Sequence, residues 1–232
     1  SKLEDLLRKV EEIIKEIERI NEELLKRVAE IVETLLRENK KLLEEIKEIL
    51  KRLIEDGSVD EEVVRKLERE VTEIEKKSKK VADDIRRKLR KLIEESREVV
   101  RDIKRKLEEL KRANKPKDDL LRDILRVIKR LLERSAEIVK RVEDVLEELL
   151  KLLKETLDEL LEVLKRVLDE VRKNVDERKL DKIRKDLERV VREYEEKLKE
   201  VRKRLRELVE RVKEKHKRIE EELRKTAKEV RD

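Results

Sequence analysis

Between Leu3 and Leu53, apolar residues recur at 3, 7, 10, 14, 17, 24, 28, 32, 35, 42, 46, 50 and 53, and Asn21 and Asn39 fill the two gaps in that ladder. Its fourteen steps cover fifty residues, about 3.57 per step, the period of a nearly straight α-helix and slightly longer than a heptad. Such a stripe cannot be hidden by the helix that carries it and has to be covered by neighbours. The pattern returns three times. A second stripe starts at Val64, Leu67, Val71 and Ile74 and reaches Leu107 and Leu110; a fourth runs from Leu180 and Ile183 to Ile219 and Leu223. The third doubles its apolar residues at nearly every turn, as at Leu120-Leu121, Leu131-Leu132, Leu149-Leu150 and Leu160-Leu161.

Punctuation falls between the stripes. Ser1 and Glu4 fit a capping box at the start. Gly57, the chain's one glycine, suits the left-handed residue that ends a helix. Asp60 is expected to cap the next helix, with Val59 and Val64 as the hydrophobic staple around it; Ser58 with Glu61 is the competing cap. Asn114 reads as a second left-handed residue, and Pro116 belongs to the first turn of the third helix, where Asp118 and Asp119 favour the helix dipole. Asn174 reads as a third left-handed cap, and Val175, Asp176 and Leu180 repeat the staple. Helices are therefore expected at about 2–56, 61–113, 117–173 and 177–230, joined by loops of a few residues. Loops that short force each helix to run antiparallel to the one before it. The fold class is all-α: an up-down-up-down four-helix bundle, coiled-coil-like and near-straight, one long rod forming a single domain over 1–232.

Polar residues interrupt every stripe. Ser78 and Ser96 stand in the second, Ser135 and Thr156 in the third, Tyr194 and His216 in the fourth. In an antiparallel hairpin, residues equally far from the turn lie at one level. Asn21 with Ser96, and Asn39 with Ser78, flank the first turn symmetrically; Ser96 with Ser135 flank the second, and Ser135 with His216 and Thr156 with Tyr194 flank the third. Ser78 and Thr156 depart from this by three residues, about 4.5 Å along the axis. Two buried layers are expected, Asn21–Ser96–Ser135–His216 and Asn39–Ser78–Thr156–Tyr194, each with donors and acceptors enough to satisfy itself. The alternative is that the hydroxyls bond their own i−4 carbonyls while the His and Tyr tips reach solvent. Thr34, Thr72 and Thr226 match neither level. A layer of this kind adds little stability, but a slip in register strands every member, so it specifies pairing.

Composition sharpens the class. Charged residues make up 57% of the chain and hydrophobic ones 36%, with no Cys, Met, Phe, Trp or Gln and a single Tyr and His. Charge-rich composition alone would permit disorder, but regular apolar spacing over four segments argues against it. In its restricted alphabet, capped ends, minimal loops, straight stripes and two polar layers, the whole chain resembles the de novo designed helical bundles with buried hydrogen-bond networks. That resemblance implies a structural scaffold with no natural biochemical function. Natural long-helix proteins such as spectrin-like repeats normally carry the aromatics, Met and Gln that are absent here. Ser1 in place of an initiator methionine fits a trimmed recombinant product.

Chemistry recedes on the same grounds. His216 is preceded at −3 by Lys213, not by the glutamate of a di-iron pair, and one imidazole cannot make a zinc site, so neither metal nor cofactor is expected. Ser135 beside His216 lacks an acidic orienter and an oxyanion hole, so the chain is not read as an enzyme. The net charge of +6 is the remainder of 69 basic and 63 acidic residues. Residues 60–113 hold 19 basic against 15 acidic, and 174–232 hold 22 against 17, but acids intersperse every basic cluster and no stacking aromatics accompany them, so nucleic acid is not an expected partner. No apolar run is long enough for a membrane span, and a soluble, cytoplasmic product of recombinant expression is expected. The expected state is a monomer of 28.3 kDa. The rival is a self-associating or heteromeric interaction module using the broad apolar faces of helices 1 and 3, with a seam around Leu149–Leu153. Those helices hold 23 and 26 apolar residues against 17 and 16 in helices 2 and 4.

Overall fold

A computed structural model describes residues 2–231. Four α-helices make up nearly all of it, α1 (Lys2–Glu55), α2 (Glu61–Arg112), α3 (Lys117–Asn174) and α4 (Glu177–Arg231), and no strand occurs among the described residues. The protein is an all-α four-helix bundle. The helix ends lie within one residue of those the apolar period predicts. The expected Ser1 cap lies outside the described residues.

The chain divides into two compact units, and each helix contributes a segment to both. Unit 1 comprises Ser1–Ala29, Arg87–Val145 and Leu205–Asp232; unit 2 comprises Glu30–Arg86 and Leu146–Arg204. The connection after α2 therefore belongs to unit 1, and those after α1 and α3 belong to unit 2.

The first turn is set by Gly57. Its φ of 71° is the left-handed conformation that a Cβ would strain, and two reverse hydrogen bonds close the helix around it. Gly57 N donates to Ile54 O at 3.2 Å and Ser58 N to Leu53 O at 3.0 Å, the paired bonds of a Schellman ending. Val64 N then donates to Asp60 O at 3.1 Å, which makes Asp60 the half-helical residue that opens α2. Val59 and Val64 are both buried in the unit 2 core, so the staple forms. Ser58 does not cap α2. Its amide and hydroxyl both donate to Asp56 Oδ1, closing a tight local turn instead.

The third turn is capped by its side chain as well as by its backbone. Lys179 N donates to Asp176 Oδ1 at 2.8 Å, satisfying one of the donors that a helix start leaves free, and Leu180 N donates to Asp176 O at 3.0 Å as the first bond of the helix ladder. The left-handed caps expected at Asn114 and Asn174 do not form, since no residue but glycine has positive φ among those described. The reasons differ. α2 stops ahead of Pro116, whose ring disfavours helical geometry in the residue before it, so no reversal is needed. Asn174 stays helical as the last residue of α3, its Nδ2 donating back to Glu170 O at 3.2 Å, and Asp176 opens the next helix directly.

Ion pairs at the helix flanks report which helices are neighbours. In unit 1, Lys104 meets Glu18 at 2.9 Å (α2–α1), Arg134 meets Asp102 at 3.1 Å (α3–α2), Lys213 meets Glu143 at 2.8 Å (α4–α3), and Lys9 pairs with Glu222 (α1–α4). Those four contacts close a ring, which leaves α1 diagonal to α3. Unit 2 repeats three of its sides through Arg86–Glu33 at 2.6 Å, Arg166–Glu70 at 2.5 Å and Lys197–Glu38 at 2.8 Å. Half-exposed pairs of this kind are worth only about 0–1 kcal/mol each. Folding free energy comes from the stripes, where each fully buried Leu, Ile or Val contributes about 1.5–3 kcal/mol.

Many doubled positions of α1 and α3 are buried on both members, though at Leu160-Leu161 only Leu160 is. Ile13 with Ile14, Leu42 with Leu43, Leu149 with Leu150, and Val163 with Leu164 all lie in the interior. Along the rival seam at Leu149–Leu153, Leu149, Leu150 and Leu153 are buried and Leu152 is half-buried, and among the described residues Leu161 is the one exposed large hydrophobic.

Candidate functional site

The polar residues of the core fall into two sets, one in each unit. In unit 1, Asn21 is 3% exposed and Ser135 0%, so each of their polar groups has to find a partner inside the protein. Asn21 Nδ2 donates to Ser135 Oγ at 3.0 Å, crossing the core from α1 to the diagonal helix. The other end of the same amide, Oδ1, lies 3.0 Å from His216 Nε2 on α4. An amide oxygen has no hydrogen to give, so Nε2 carries the proton and donates. One asparagine thus ties three helices through both ends of its side chain. Burial alone pushes the His216 pKa below its ordinary value, because the imidazolium would be taken out of water.

Ser96 is the member that the structure leaves out. It is buried, but no hydrogen bond joins it to Asn21, Ser135 or His216 among the described residues. A serine side chain reaches only one atom beyond Cβ, so being at the right level does not by itself bring its hydroxyl to a partner. The expected four-membered layer is a three-membered chain.

In unit 2 the correction is larger. Asn39 Nδ2 donates to Tyr194 Oη at 3.1 Å, joining α1 to α4, and there the network ends. Thr156 Oγ1 donates instead to Leu152 O on its own helix at 2.9 Å, the back-bond open to any Ser or Thr in a helix. Among the described residues, Ser78 Oγ is buried and has no partner, and Asn39 Oδ1 is likewise buried and unpartnered. The three-residue offset keeps Ser78 and Thr156 from each other, since about 4.5 Å along the axis exceeds a hydroxyl's reach; Asn39 and Ser78, at one level, do not meet either. Thr34 and Thr72 make the same i−4 bond as Thr156. Tyr194 is nevertheless deeply buried, and burial raises its phenol pKa well above the ordinary value while the Asn39 bond acts the other way.

One buried polar residue escaped the level argument. Ser58 is 1% exposed and holds Asp56, whose carboxyl is kept below the usual range by the Ser58 hydroxyl, the Ser58 amide and the charge of Lys179 at 3.4 Å. The Asp-Gly-Ser run at the turn was its available signal. Among the described residues, no group of three or more His, Cys, Asp or Glu side chains is placed to hold a metal ion, and no helix is long and apolar enough to cross a membrane.

No family model matches this chain, and no curated protein does. A solved structure described as the haptoglobin-hemoglobin receptor of Trypanosoma congolense is similar at 16% identity, with 99% of this chain and 91% of that one covered. The TM-score is 0.31, too low to carry an argument about fold or activity.

Proposed function

We propose that this protein is a designed structural scaffold, non-enzymatic and monomeric, in which buried polar side chains specify how four helices pair and in what register. The observation that carries the reading is Asn21, which reaches Ser135 and His216 from opposite ends of one side chain. An apolar core of the same shape would tolerate a helix sliding by a turn. This amide would then leave several buried polar groups unpaired, at about 1–3 kcal/mol each. No cofactor, nucleic acid or membrane enters this reading.

The test replaces the whole set with apolar residues: Asn21→Leu, Ser96→Val, Ser135→Val and His216→Leu together. The variant is expected to remain helical and at least as stable, because matched apolar replacement removes polar burial on every side. Its cost is expected in uniqueness, read as mixed masses by light scattering where the parent is expected to give a single species of 28.3 kDa. A variant that stays one sharp species sinks the specificity argument. A parent mass of twice that value would instead favour a self-associating module.

A further inference from the structure

In unit 1, α3 and α4 leave a groove of about 830 Å³. That lies within the roughly 300–1,000 Å³ of small-molecule sites. Its floor is Leu132, Ala136, Leu223 and Ala227, and the two alanines make the room. Along its rim, Lys213 is engaged by Glu143 at 2.8 Å and Arg224 by Glu220 at 2.9 Å. Lys129, Lys217, Lys228 and Arg231 line the same groove, and no ion pair holds any of them among the described residues. Against those four cations stands the single unpaired lining carboxylate of Glu133. The Lys213–Glu143 pair sets the antiparallel register. It places Lys129, Lys228 and Arg231 towards one end of the groove, and Lys217 with the buried His216 towards the other. The groove between α1 and α4 of the same unit is different. It has about 400 Å³, and its rim of Glu16, Glu23 and Glu222 against Arg19, Lys215 and Arg218 is balanced in charge.

We infer that the α3–α4 groove of unit 1 binds a single-chain fatty carboxylate. The alkyl chain lies on Leu132, Ala136, Leu223 and Ala227, and the carboxylate sits among Lys129, Lys228 and Arg231. An apolar floor alone would accept any greasy molecule; the unpaired cations select an anion. Among them the Arg231 guanidinium offers the paired donors that a carboxylate matches. A second copy of this chain is the competing occupant.

Isothermal titration of the whole protein with dodecanoate, below its micelle concentration, tests this. One site per chain is expected, weakened by added salt, while dodecyltrimethylammonium of the same chain length does not bind. Lys129→Gln, Lys228→Gln and Arg231→Gln together are expected to weaken dodecanoate about tenfold or more. Ala136→Trp, at an exposed helical position, is expected to abolish binding while helicity and the denaturation midpoint stay near the parent's. Equal binding of the ammonium surfactant overturns the proposal, as does unchanged affinity in the Trp variant or no binding by the parent. Concentration-dependent dimerisation of the parent that Ala136→Trp removes also overturns it, and assigns the groove to a second copy.

Discussion

The two units receive polar residues of much the same kind and put them to different use. Each has one asparagine from α1, one serine from α2, one hydroxyl residue from α3 and one long ring side chain from α4. In unit 1 the asparagine is bonded at both ends, to α3 and to α4. In unit 2 it is bonded at one, and both its carbonyl oxygen and Ser78 Oγ are buried without a partner among the described residues. What separates the units is the α3 residue. Ser135 sits where Asn21 can reach it, whereas Thr156 is displaced along its helix and turns back to Leu152. A polar layer depends on its least well-placed member: one residue off level takes a donor from the others.

Breaking the tighter set is expected to have the largest effect. Asn21→Ala strips Ser135 and His216 of their shared partner, and at about 1–3 kcal/mol per orphaned group the loss should be about 3 kcal/mol. Asn39→Ala orphans only Tyr194 Oη and removes an unpartnered carbonyl at the same time, so it should lose clearly less. Guanidinium midpoints for the two variants measure the contrast directly. Equal losses would mean that the missing bonds in unit 2 do not matter.

The units are also expected to fail at opposite ends of the pH scale. Tyr194 has its folded pKa raised, so its contribution is complete below the unfolded value of about 10 and declines as pH rises beyond it, at up to ~1.36 kcal/mol per pH unit. His216 has its folded pKa lowered. The unfolded chain therefore takes up a proton first as pH falls; stability from His216 is full above about 6.5 and declines below that at the same limiting slope. Lysines and carboxylates titrate nearby, so each arm needs its own control. Tyr194→Phe should flatten part of the alkaline decline, and His216→Asn part of the acid decline between pH 6.5 and 5. Parent and variant curves that run parallel would return the side chain in question to water.

The smallest expected change is a gain. Ser78→Ala removes a buried hydroxyl that has no partner among the described residues, and should raise stability by up to about 1 kcal/mol. Ser135→Ala, the matching experiment in unit 1, should lower it. The same sign for both in thermal melts would erase the distinction between the units.

Legibility varied with the tolerance of each interaction. Staple residues such as Val59 and Val64, the reversal at Gly57 and the Asp176 cap were readable because each is settled within five or six consecutive residues. Asn114 and Asn174 were misleading for the same local reason: asparagine tolerates the left-handed conformation but does not demand it, and other residues ended those helices. The levels of Asn21 and His216 could be read from distances to the turns, as could those of Asn39 and Tyr194.

By itself, the sequence determined four helices, their ends to within a residue, and the faces they bury. Helical period and capping are local, and an apolar stripe accepts any neighbour that covers it. Only the tertiary structure decided which polar atoms meet. A hydrogen bond holds over about 2.7–3.2 Å and within a narrow angle, whereas a position along a helix is known from sequence only in steps of about 1.5 Å and says nothing of rotamers. That is why Thr156 was counted into a network it does not join, and why Ser96 could be placed at the right level yet given partners it does not have.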